Sequence, residues 1–226
     1  MKHKIILATV LYITAFFLQS CNKSSNHHDK RDADSSMSHA KQGDPMRPDN
    51  MQMDNGMMES MRSAMDKMDA MKMTGDFDHD FANMMIMHHQ AAIDMSEIEI
   101  VKGTVAAIVS MAKCIVTAQK AEIVEMQQFI ANHKMKEVKM QNAEMDGDLS
   151  KSMKAMMDKM NNMQMTGNTD TDFVRMMIPH HEGAVKMAED ELAYGKHTEL
   201  KKMAEKMIID QTKEIDEFNA WLTSNN

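Results

Sequence analysis

Two dipeptides, His88-His89 and His180-His181, sit in closely matched surroundings. Met84-Met85 precedes the first and Met95 follows it; Met176-Met177 and Met187 hold the same places around the second. Imidazole and thioether together narrow the chemistry. Thioether sulfur favours Cu(I), imidazole accepts Cu(I), Cu(II) and zinc, and hard ions prefer oxygen. A thioether has no proton to lose and forms no disulfide, so it can hold copper in oxidising surroundings where thiolates are unreliable. The pattern therefore suits copper, Cu(I) ahead of Cu(II). The bland alternative is core packing, because methionine is flexible and fills irregular gaps. Quantity weighs against it: 32 of 226 residues are Met, against 7 Phe and 1 Trp.

Helical geometry gathers these donors. At 100° per residue, Phe81, Met84, Met85, His88, Ala92 and Met95 fall within an arc of about 100°. Ala92 leaves room for an ion or a facing side chain. Met176, His180, Ala184 and Met187 repeat the arrangement, while His89 and His181 point toward the edge of the face. Further on, Gln119 and Glu122 lie on the inner side of the next helix with Ile115 and Met126, and Gln211 and Glu214 recur there. Polar side chains facing a core need partners. The expectation is that they accept the second ring N–H of His88 and His180 and so fix the tautomer of each ligand.

The elements that must position these residues come from an internal duplication at a spacing of 92 positions, as His88 to His180 shows, in register from Met65 to Trp221. Met73-Thr74-Gly75 matches Met165-Thr166-Gly167, Asp80-Phe81 matches Asp172-Phe173, and Glu99 and Gly103 match Glu191 and Gly195. Each copy reads as three helices in an all-α chain. The first copy, 56–133, gives helices over about Met57 to Met73, from an Asp78 or Asp80 N-cap to Gly103, and Thr104 to Asn132, with Gly75 as a C-cap. A polar linker, 134–148, leads to the second copy, 149–224, with helices over Leu149 to Met165, Thr171 to Tyr194 and Thr198 to Thr223. The long second and third helices of both copies supply the four that a pseudo-symmetric bundle needs. The first helix of each copy is an additional Met-rich element.

Lys2 and Lys4, an apolar run from Ile5 to Phe17 and then Ser20-Cys21 read as an export signal over 1–20, with Cys21 lipidated as in a bacterial lipobox. Residues 22–55 lack apolar periodicity and read as a disordered tether; His27, His28, His39, Met46, Met51 and Met53 there could collect metal loosely. The formal net charge of −8 becomes more acidic once Lys2 and Lys4 are removed, which suits cations and disfavours nucleic acid. The expected setting is the bacterial envelope: a periplasm-facing or surface lipoprotein held by its lipid anchor, at the outer membrane. Cys114, the other cysteine, reads as a small buried hydrophobe.

The run Phe-x-x-Met-Met-Ile-x-His-His-x-x-Ala-x-x-Met, then Gln-x-x-Glu-Ile and a final aromatic, stands at Phe81 to Met95 with Gln119 to Phe129, and at Phe173 to Met187 with Gln211 to Trp221. It resembles the domain-of-unknown-function family 305. The resemblance implies a ferritin-like helical fold, and for Met/His-rich periplasmic members copper binding and resistance. His88, His89, His180 and His181 with their neighbouring methionines are then the implied ligands. Two other classes compete. A di-iron enzyme on such a bundle needs Glu-x-x-His, yet Met85 and Ile86, Met177 and Ile178 occupy the positions three before each histidine. A metal-free interaction module would use the Met stripes as a plastic groove. A homo-oligomer or a copper-handling partner is compatible with either binding reading.

Overall fold

The computed structural model describes residues 56–134 and 143–225, with side chains of the second stretch described from residue 149. The signal segment, Cys21 and the tether lie outside the described residues. Six helices and no strand are present among those described: α1 Met57–Asp69, α2 Phe77–Lys102, α3 Ala106–Asn132, α4 Ala143–Asn161, α5 Thr169–Tyr194 and α6 Thr198–Asn225. α4 begins within the stretch read as linker.

Helix termini depart from expectation for an identifiable reason. Asp76, not Asp78 or Asp80, is the N-cap of α2 and accepts from the His79 N–H. Asp80 instead turns back on the preceding loop, accepting from the Thr74 N–H and hydroxyl and from the Gly75 N–H at 2.8–3.0 Å. This hold draws the chain off the helical path, so α1 ends at Asp69, and Gly75 is a loop residue at φ 80 rather than a C-cap. The second copy repeats the device: Asn168 caps α5, and Asp172 accepts from Thr166 and Gly167.

Three-residue turns fold α3 back on α2 and α6 back on α5, and the two hairpins meet through α2 and α5. Asp78, at the start of α2, accepts from the Lys196 and His197 N–H groups just beyond α5. Asp170, at the start of α5, accepts from the Thr104 N–H and hydroxyl and the Val105 N–H just beyond α2. α2 and α5 are therefore antiparallel, and each repeat's turn is capped by an aspartate of the other. α1 packs on α2 and α4 on α5. Small volume exchanges keep these contacts filled: Ala64 and Ala91 in the first copy become Met156 and Gly183 in the second, where a Cβ on Gly183 would press the Met156 sulfur at 3.2 Å.

Candidate metal centre

The methionines on the inner faces of α2 and α5 are core residues: Met84, Met85, Met95, Met176, Met177 and Met187 are all at most 3% exposed. Enclosed with them, fully buried, are His88, His89, His180 and His181. The antiparallel crossing brings His88 against His180, ring centroids 3.7 Å apart and planes tilted by 36°. Within each pair the rings diverge, with centroids 6.4 Å apart for His88 and His89 and 6.1 Å for His180 and His181.

The partners of these rings differ from the expected ones. Glu122 on α3 reaches the Nε2 of His89 at 2.9 Å, and Glu214 on α6 reaches the Nε2 of His181 at 2.8 Å. Neither glutamate serves His88 or His180. The cause is register: the edge positions of α2 and α5 face the neighbouring helix of the same hairpin, whereas the central positions face the opposite repeat. Burial pushes Glu122 up, but hydrogen bonds and charge from His89 and Lys206 more than offset this and leave it below the ordinary carboxylate value. It is therefore ionised at neutral pH and accepts from Nε2 of His89, orienting a ring whose Nδ1 faces the core.

No ring nitrogen of His88 or His180 has a hydrogen bond of good geometry, only a weak hold on the backbone of the facing histidine, and Nδ1 of His89 and of His181 has no partner. Burial, then the neighbouring imidazoles, hold His88 and His180 well below the ordinary histidine pKa, so both are neutral. Gln119 and Gln211 are buried beside this system, with Oε1 of each also unpartnered. Among the described residues no three His, Cys, Asp or Glu side chains converge as a metal cage. An ion here must take some of its ligands from thioethers, which is the donor set of a soft ion.

The family model described as Domain of unknown function (DUF305) matches residues 18–130 and again 78–222. The chain belongs to this family. No curated protein sequence matches it. Among solved structures, CopM in the Cu(II)-bound form is 29% identical, with a TM-score of 0.50, over 66% of this chain and 97% of that chain. CopM in the Cu(I)-bound form is 30% identical, TM-score 0.47, over 65% and 96%. CopM in the Ag-bound form obtained by soaking is 29% identical, TM-score 0.49, over 65% and 95%.

Other groups escaped sequence reasoning. Glu99 and Glu191 are fully buried with no donor to either carboxyl oxygen. Burial first, and then Asp170, pushes Glu99 up to about 8; burial and then Asp78 push Glu191 up to about 9. Each is a protonated carboxyl beside the aspartate that caps a repeat's turn. Their recurrence 92 positions apart was the available signal, but it did not reveal the cross-repeat partner. His133 and His197, which the duplication does not match to one another, also come together. Cys114 is half-buried on α3 rather than a core residue, and its thiol is not free.

Proposed function

We propose that this protein binds copper, Cu(I) ahead of Cu(II), at the His/Met cluster between α2 and α5, and that it sequesters or buffers the metal in the bacterial envelope, contributing to copper and silver tolerance. One observation carries the reading: six imidazole nitrogens buried in a methionine core have no hydrogen bond of good geometry. An unsatisfied buried polar group costs about 1–3 kcal/mol, and a ligated ion removes that cost. One nitrogen of each ring would donate to the ion. The similarity to CopM in its Cu(II)-bound form supports the same choice of metal.

Two imidazoles sharing one ion at metal–nitrogen bonds of about 2 Å have centroids roughly 5–6.5 Å apart, the upper end for nitrogens on opposite sides of the ion. His88 and His180, at 3.7 Å, are closer than that. We therefore assign each repeat its own ion, His88 and His89 with Met84, Met85 and Met95 for one, and His180 and His181 with Met176, Met177 and Met187 for the other. The frame is a ferritin-like four-helix core of α2, α3, α5 and α6, and an acylated Cys21 would tether it to the outer membrane. The chain has 2 cysteines and the Cys114 sulfur is bonded, so acylation of Cys21 and that bond exclude one another within one chain; the intact mass of protein extracted from membranes decides between them.

The decisive experiment is copper titration of the protein lacking residues 1–21, under reducing and oxidising conditions, beside a variant with all four histidines changed to alanine and checked for helicity by circular dichroism. Tight Cu(I) binding lost in the folded variant supports the assignment; unchanged binding removes it.

A further inference from the structure

A second group of metal-ligating side chains lies at one end of the molecule, away from the His/Met core. His133 is the C-cap of α3, and its Nε2 meets the carboxylate of Asp76, the N-cap of α2, at 2.8 Å. His197 precedes α6, with its backbone N–H held by Asp78. Phe129 fixes both rings: its centroid is 4.7 Å from His133, stacked, and 4.8 Å from His197, edge-on. The two imidazoles are 6.1 Å apart, centroid to centroid. They line an open cleft of about 740 Å³ between the end of α3 and the start of α6, and Met203 lines it with them.

We propose that this cleft is a separate copper site, in which Nδ1 of His133, Nε2 of His197 and the thioether of Met203 bind one Cu(I) ion. Asp76 occupies the Nε2 of His133, so the proton resides there and Nδ1 is the free donor, the same carboxylate-oriented arrangement that Glu122 imposes on His89. Nδ1 of His197 is buried without a partner and the residue lines the cleft, so Nε2 is the nitrogen assigned to the ion. With metal–nitrogen bonds of about 2 Å, a centroid spacing near 6 Å corresponds to two nitrogens on roughly opposite sides of one ion. Cu(I) accepts low coordination of that kind from soft and borderline donors. Glu125 and Glu199 line the same cleft with Lys134, Lys202 and Lys206, the last of which is paired with Glu122 and Asp210.

Comparison of the two repeats argues that the arrangement is not a by-product of the fold. At the spacing of 92, Met111 corresponds to Met203 and Trp221 to Phe129, but Asn225 stands for His133, Val105 for His197, and Asn168 for Asp76. The aromatic and the thioether belong to both ends, while both imidazoles and the carboxylate that orients one of them belong to a single end. That end is open to solvent, whereas the central histidines are fully buried. The cleft site is thus placed to take up or release copper, and it does not depend on the central assignment.

The test is Cu(I) titration of the full chain against a chromogenic Cu(I) chelator, with three variants. His133→Asn with His197→Val gives this end the residues the other end already carries, so the fold has a precedent for them; thermal unfolding and helicity confirm that it persists. The expected result is loss of about one copper equivalent per chain relative to the native protein. His88→Ala with His180→Ala should retain that equivalent. Met203→Leu should weaken the same equivalent without changing the others. In parallel, ¹⁵N spectra of the histidine rings during Ag(I) titration should shift Nδ1 of His133 and Nε2 of His197. Unchanged copper stoichiometry in the Asn/Val variant, or ring signals of His133 and His197 that ignore Ag(I), overturns the proposal. If the cleft equivalent survives while the central variant loses nothing, the central reading fails and this one stands.

Discussion

At the central site, each imidazole is caught between two demands. The fold encloses His88 and His180 completely and gives their ring nitrogens no hydrogen bond of good geometry. That is costly without an ion and favourable with one. Replacing both with leucine should therefore stabilise the metal-free protein by about 1–3 kcal/mol per residue, read from urea unfolding, while abolishing any rise in melting temperature on adding Cu(I) or Ag(I). Destabilisation of the metal-free protein would instead mean that the rings have native partners of their own. Glu122 and Glu214 act one step further out, orienting His89 and His181. Glu122→Gln with Glu214→Gln should lower copper affinity by about 10- to 100-fold, as loss of carboxylate support commonly does, with helicity unchanged. The residue types of this site were legible in the sequence because softness is a property of the side chain alone. Which histidine each glutamate serves was not, because it depends on the rotation of α2 relative to α3.

Among the elements, the long helices were legible from their periodic apolar faces, and their ends were not. Asp76, Asp78 and Asp80 follow one another at alternate positions, and any of them is chemically fit to cap α2. Only Asp76 does so. Asp80 holds a loop six residues before it, and Asp78 holds a turn 118 residues away. A cap is a local signal, but two of these three carboxylates are engaged by chain that local reasoning does not see. Asp170→Ala removes the acceptor for the Thr104 and Val105 N–H groups and the Thr104 hydroxyl. The expected cost is about 2–3 kcal/mol, since hydrogen bonds to charged groups are the stronger kind, measured by urea unfolding; a change within error would show that water replaces the carboxylate freely. Gly103 serves the same turn differently. A Cβ there would collide with the carboxyl and the backbone carbonyl of Glu99, so Gly103→Ala should cost about 1–3 kcal/mol through forced repacking.

In the whole molecule, the duplication was visible in the sequence, but the antiparallel interlock of the repeats was not, because Asp78 and Asp170 carry no local sign of a partner in the other copy. The interlock gives folding a definite pH dependence. Glu99 and Glu191, raised to about 8 and about 9, sit beside Asp170 and Asp78, the residues that join the repeats. Below the ordinary glutamate value of 4.5 both folded and unfolded chains hold these protons. Between 4.5 and about 9 the folded protein keeps protons that the unfolded chain has released, so stability falls as pH rises; above that range nothing further is lost. His88 and His180 act in the opposite sense. Their lowered values mean that the unfolded chain takes up protons the folded core refuses, which removes stability only below their ordinary 6.5. The limb from pH 7 to 9 therefore isolates the glutamates. Metal-free protein should lose about 1.4 kcal/mol per pH unit for each carboxyl still protonated, followed by urea unfolding at closely spaced pH values. Glu99→Gln with Glu191→Gln keeps a donor toward each aspartate but removes the titrating proton, and should flatten that limb. A slope that survives the double substitution would mean that the fall in stability arises elsewhere than at the two turns joining the repeats.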